Sequence, residues 1–225
     1  MSTNLHRRDR ENISRAFLWI AIAAGMLTVV NVLFLDRPFG QLMAQYEPSP
    51  LWDRGIDALE LGIGLDTLPW MSCLVLATTL LIAAAIPKTR VTVPALSFVT
   101  ATHMIGQLLM GSIKEWTGRM RPLQWIKAGM PSTDWAWVKA YSFPSGHVAI
   151  FASLVVPVVA LHPRRLWPLL VIPLYACCAR LAVDAHWLSD VTGSISLVCG
   201  LAWMFGAIIR PLGRARARAG SFHRR

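Results

Sequence analysis

The chain has 225 residues, of which 55% are hydrophobic and only 15% charged, with a mean hydropathy of +0.48. Because the apolar residues also sit in long blocks, these values exclude an ordinary soluble domain of this size and indicate a membrane protein. The net charge of +10 would suit nucleic acid, but the basic residues lie at the two ends and in short links between apolar blocks, where they read as topology signals.

Residues 1–15 form a basic arm in which Arg7, Arg8, Arg10 and Arg15 outnumber Asp9 and Glu11. The apolar run 16–35 follows. A helix of about 20 residues crosses the ~30 Å hydrocarbon core, so this is span one, and no small-residue cleavage site after it suggests a removable leader. Residues 36–68 read as a mixed loop interrupted by Pro38, Pro48 and Pro50. Within it, Leu51, Trp52, Ile56 and Leu59 recur near helical spacing, while Asp53, Asp57 and Glu60 fall elsewhere. That pattern predicts a short helix over 51–61 lying at the membrane interface.

Span two is expected at 70–86 and span three at 91–113, joined by the basic turn Pro87-Lys88-Thr89-Arg90. His103, Gln107 and Lys114 fall close to one stripe of span three, which should face inward. For His103 and Gln107, hydrogen bonding between helices is the preferred reading over direct catalysis. Four cysteines, Cys73, Cys177, Cys178 and Cys199, lie in apolar segments without metal-type spacing, so neither a disulfide framework nor a zinc site is expected.

The polar connection 114–143 carries Lys114, Arg119, Arg121, Lys127 and Lys139 against only Glu115 and Asp134. Counting from a cytoplasmic amino end puts it outside, where Lys and Arg are normally scarce. Cations that break the topology rule are better explained by an anionic ligand. At the end of this connection, Tyr141-Ser142-Phe143-Pro144-Ser145-Gly146-His147 turns into an apolar helix. The first N–H groups of a helix lack internal partners and favour an oxyanion. Gly146 allows close approach and His147 offers a titratable proton, although an ordinary capped helix with a chance histidine would read the same way.

Span four is expected at 146–161, followed by the basic turn His162-Pro163-Arg164-Arg165, then span five at 166–183 and span six at 187–209. The tail 210–225 holds six arginines and no acid. An even number of spans with both ends cytoplasmic fits every basic link. The turn between spans five and six then lies outside with Arg180, Asp184, His186 and Asp190. Asp190 follows His186 by four residues, which on a helix lets the carboxylate hold one ring nitrogen and free the other. A structural Arg180–Asp190 ion pair is the plainer alternative. Three cations with helix N–H groups suit a phosphoryl group, and two histidines allow one to attack phosphorus while the other protonates the leaving oxygen. Asp184 is open to pairing with a loop cation or to facing solvent, the latter being commoner for surface charges. Trp52, Trp70, Trp116, Trp135, Trp137 and Trp187 are expected to anchor the chain at the interfaces.

Three ordered stretches resemble the signatures of the type-2 phosphatidic acid phosphatase superfamily: Lys114 followed by Arg121-Pro122; Pro144-Ser145-Gly146-His147; and Ala179-Arg180 followed by His186 and Asp190. The one departure is Ala179, where the family pattern has Ser. The resemblance implies that His186 is the nucleophile, that Asp190 orients it and that His147 is the general acid. It implies that Lys114, Arg121, Ser145, Gly146 and Arg180 bind the phosphate, with no cofactor and no metal. The expected whole is one all-α domain over 1–225: a polytopic membrane helical bundle of about six transmembrane helices with a short interfacial helix in the first outer loop. Its implied setting is a bacterial inner membrane, with the active site facing outward. The partners are then the bilayer and a phosphorylated membrane lipid: phosphatidic acid, phosphatidylglycerol phosphate, undecaprenyl diphosphate or a lipid A phosphate. Transfer of the phosphoryl group to a second lipid, or mere binding and carriage of anionic lipids, are the rival readings.

Overall fold

The computed structural model describes the backbone of residues 2–65, 68, 70–135 and 140–222, and side chains within 15–208. Among the described residues all regular structure is helical. The first helix, α1 (Ser2–Val30), passes through a π-helical turn (Asn31–Leu35) directly into α2 (Asp36–Met43). Residues 36–43, expected as loop, thus continue the helix, with Pro38 just past the π turn. The π turn has a consequence for side-chain direction. Residues five apart on an α-helix point about 140° away from each other, whereas the wider turn brings Asn31 and Asp36 to the same buried face.

The remaining helices are α3 (Leu51–Ile63), α4 (Met71–Ala85), α5 (Val93–Thr117), α6 (Pro122–Lys127), α7 (Gly146–Leu161), α8 (Pro163–Leu166), α9 (Val171–Ala182) and α10 (Leu188–Phe222). Several ends follow from local chemistry. Gly118 adopts φ +51° and closes α5 with a 3.0 Å bond from its N–H to the Lys114 carbonyl. Gln124 Oε1 accepts the Arg121 N–H at 2.9 Å and starts α6 just before Pro122.

The helices α5, α7 and α10 meet around Phe98, Ala152, Val156, Ala160, Val198, Cys199 and Ala202. The small residues in this set let helix backbones approach, as bundles in lipid require. Antiparallel to α10 lies α1, tied by Thr28 to Thr192 at 2.9 Å and by Ser196 Oγ donating to the Ala21 carbonyl at 2.8 Å. His103 is fully buried and bridges three helices, with Nε2 2.8 Å from Ser72 Oγ on α4 and Nδ1 2.8 Å from Ser153 Oγ on α7. Gln107 is buried too, but its amide nitrogen has no partner among the described residues.

Four segments, Arg15–Met43, Pro87–Lys127, Pro163–Ala182 and Leu188–Ile208, are long and apolar enough to cross a membrane. The helices Met71–Ala85 and Gly146–Leu161 are apolar but shorter. Large apolar side chains such as Phe34, Leu81, Val171 and Leu174 stand exposed on the outside of the bundle, as expected of a lipid-facing surface. Two tryptophans depart from the interfacial role expected of them. Trp187 is 1% exposed, and its indole N–H donates to the Met120 carbonyl at 2.7 Å. Trp135 stacks over Arg119 at 4.5 Å. Trp116 and Trp70 are exposed, and Trp137 lies outside the described residues.

Candidate active site

The carboxyl ends of α5 and α9 and the amino ends of α2, α7 and α10 meet at one end of the bundle. At the base of this cluster is Arg119, 1% exposed. Its Nε donates to Asp134 at 2.7 Å, Nη2 to Asp36 at 2.7 Å, and Nη1 to Asp190 at 2.8 Å and Ser189 Oγ at 2.5 Å. Arg119 was among the cations expected to await an anionic ligand; instead its planar fork is occupied by three carboxylates. Trp135 and Trp187 cover the guanidinium at 4.5 and 5.1 Å. Arg37 adds a second cation to Asp134 at 3.1 Å. Nothing local in the sequence marks Asp36 or Asp134 as a partner of Arg119, because each carboxylate pairs with a residue distant in the chain.

Asp190 therefore pairs with Arg119, while Arg180 is not its partner. Its second oxygen accepts Ser142 Oγ at 2.5 Å and the Trp187 N–H at 2.9 Å, and lies 3.2 Å from His186 Nδ1. A carboxylate can only accept, so Nδ1 carries the hydrogen and Nε2 keeps its lone pair. The helix α10 begins at Leu188, so His186 lies ahead of it and the contact is made by a turn rather than by stacking along a helix face. Burial pushes the His186 imidazole down to about 4, with Asp190 opposing that shift, so the ring is neutral near pH 7. Nearby Asp184 adopts φ +51° and is half-buried rather than solvent-facing, and burial raises its carboxyl above the usual range.

The start of α7 is lashed to α10: the Ser145 N–H donates to the Asp190 carbonyl at 3.1 Å, and Ser194 Oγ donates to the Ser145 carbonyl at 2.9 Å. Ser145 occupies the position before the helix, yet its hydroxyl makes no capping bond. Among the described residues that hydroxyl is buried without a partner, as is Arg180 Nε. Lys114, in the last turn of α5, donates to the Tyr141 carbonyl at 2.7 Å. Its side chain lies over Gly146, where an added Cβ would sit 3.7 Å from Lys114 Cε. His147 Nε2 contacts the carboxylate of Glu60, which reaches over from α3.

These groups surround a pocket of about 230 Å³ lined by Glu60, Leu65, Lys114, Arg121, Gly146, His147, Ile150 and His186. The volume falls below the ~300–1,000 Å³ of sites that enclose drug-sized ligands, which suits a small polar group. Of the residues singled out in the sequence, five line this pocket. Ser145 and Asp190 stand behind it, and Arg180 lies within electrostatic reach of Lys114, His147 and His186. Ala179 is buried among Ile56, Val148, Phe151, Ala176 and Val191. Glu60 was not anticipated; the only trace of it was a charge off the apolar stripe of the 51–61 helix.

The family model of the PAP2 superfamily matches residues 94–213, more than half of the 225-residue chain. No curated protein and no solved structure matches the chain. The matched region contains Lys114, Arg121, Ser145, Gly146, His147, Arg180, His186 and Asp190, and the groups that converge at the pocket fall within it apart from Glu60 and Leu65. The chain therefore belongs to the PAP2 superfamily, the type-2 phosphatidic acid phosphatases, whose members act as phosphatases on phosphorylated substrates.

Proposed function

We propose that the protein is a metal-independent lipid phosphate phosphatase working through a phosphohistidine intermediate. The reading rests above all on one observation: both histidines, both loop cations and the Gly146 backbone line a single pocket. Two buried donors without partners, Ser145 Oγ and Arg180 Nε, support it, since a phosphoryl group would supply the acceptors they lack. In the proposed reaction the His186 Nε2 lone pair forms the P–N bond as the P–O bond to the leaving group breaks. His147 gives its proton to the departing oxygen, then takes one from the water that cleaves the P–N bond and releases phosphate. Asp190 holds the His186 tautomer, and Lys114, Arg121 and Arg180 offset charge on the equatorial oxygens.

In this reading the whole chain acts as one unit with six spans, both ends cytoplasmic and the pocket at the outer face of a bacterial inner membrane, with α3 lying at the interface. The substrate's chains would stay in lipid while its head group enters the pocket. The test is phosphate release by purified protein from a lipid panel, with chelator present throughout. Wild-type turnover that survives chelation and disappears in His186→Ala is expected. Lipid binding without release, equal in both proteins, would instead identify an anionic-lipid carrier. Appearance of a newly phosphorylated acceptor lipid would identify a phosphotransferase.

A further inference from the structure

We propose that Glu60 is a positioning and specificity residue that orients His147 and biases the leaving-group side of the pocket toward an uncharged alcohol and against a second phosphate. This rests on the phosphatase reading and adds a substrate class to it. Ile56 is 2% exposed and packs against Val148, Ala176 and Ala179. Glu60 lies one turn further along α3, so the anchored Ile56 aims it at the same side. The register of α3 is held from α9 by Tyr175, whose hydroxyl donates to the Leu51 carbonyl at 2.9 Å. Thus Glu60 meets the general acid on a helix docked by an apolar contact.

Among the eight residues that line the pocket, Glu60 is the one acid, and an acid is unexpected in a site for an anion. Its contact is with Nε2 of His147, the residue whose proton goes to the leaving oxygen. While Glu60 holds Nε2, a leaving oxygen takes its proton from Nδ1 of the same ring and stands about one imidazole width from the carboxylate. The side chains of Glu60 and His147 are only 22% and 27% exposed, so charge there is weakly screened. Lys114, Arg121 and Arg180, with His186, are the other charged or titratable groups acting on His147. These cations match the phosphoryl group being transferred. A phosphomonoester leaves as a neutral alcohol and meets no repulsion from Glu60. A diphosphate attacked at its terminal phosphorus leaves as a phosphate, which places like charges together.

The experiment measures kcat/KM for farnesyl phosphate and farnesyl diphosphate, which share one chain and differ by one phosphate, with the full chain in detergent. Any unfolded fraction cancels in the ratio of the two. The monophosphate-to-diphosphate ratio is expected to fall about tenfold in Glu60→Gln, with kcat for the monophosphate reduced. Glu60→Asp should keep the wild-type ratio while kcat drops. A ratio unmoved in Glu60→Gln overturns the inference, as does a Glu60→Asp ratio shifted as far as that of Glu60→Gln. Loss of both activities in a Glu60→Gln protein that melts like wild type also overturns it. A folded wild type that releases phosphate from neither compound would count against the phosphatase reading itself; an active wild type with an unmoved ratio would count against Glu60 alone.

Discussion

At the scale of single residues, the distinction that matters is between groups facing the pocket and groups holding them there. Arg119 is of the second kind. Removing a cation that satisfies Asp36, Asp134 and Asp190 leaves buried charge uncompensated, so Arg119→Ala should destabilise the fold by roughly 3–5 kcal/mol, read as a lowered melting temperature in detergent. Arg119→Lys should recover only part of that loss, because an ammonium cannot address three carboxylates in one plane. His186 is of the first kind. Its replacement by Ala should lower kcat by at least about 10³-fold with little change in melting temperature. The neutral ring sets the sign of the pH dependence. Since burial holds His186 down to about 4, the attacking lone pair persists above that value and is lost as the pH falls through it. The acid limb of kcat/KM should therefore lie near pH 4 rather than near 6.5; a limb at 6.5 would contradict a buried neutral nucleophile.

At the scale of elements, α3 shows what an apolar stripe leaves unstated. The stripe predicted a short helix at the membrane interface, and Ile56 from it packs against α7 and α9. Gly55 makes that approach possible, because a Cβ at this position would lie 1.9 Å from the Tyr175 hydroxyl. Gly55→Ala should push α3 outward and cost about 1–3 kcal/mol. It should lower kcat through displacement of Glu60 while Lys114, His147 and His186 stay in place; an unchanged rate would show that the α3 docking is irrelevant to turnover. The π turn between α1 and α2 shows the same dependence on context. It turns Asp36 toward Arg119, a rotation that no periodicity in 16–43 announces.

At the scale of the whole molecule, the proposed topology puts both termini on one side of the membrane and the pocket on the other, an arrangement argued from the basic links. Reporter fusions at the amino and carboxyl ends should both report the cytoplasm. A reporter inserted in the 128–133 segment, beyond α6, should report the opposite face. Split results for the two ends would overturn the even number of spans. The topology also explains the legibility of the site. Its reacting groups lie in three short stretches at the ends of α5, α7 and α9–α10, so each stretch carries its chemistry locally even though the pocket does not exist until they meet.

The amino-acid sequence by itself determined the helical membrane character, the approximate number of apolar helices and the family resemblance, and it singled out Lys114, Arg121, His147, Arg180, His186 and Asp190 as a candidate set. Those properties depend on composition, short-range spacing and residue type, which are all local. Only the tertiary structure decided that Arg119 is committed to three carboxylates, that the Ser145 hydroxyl and Arg180 Nε find no partner among the described residues, that Trp187 is buried, and that Glu60 reaches His147. Each of these depends on which helix packs beside which, and burial and ion pairing between distant segments leave no periodicity for a sequence to display.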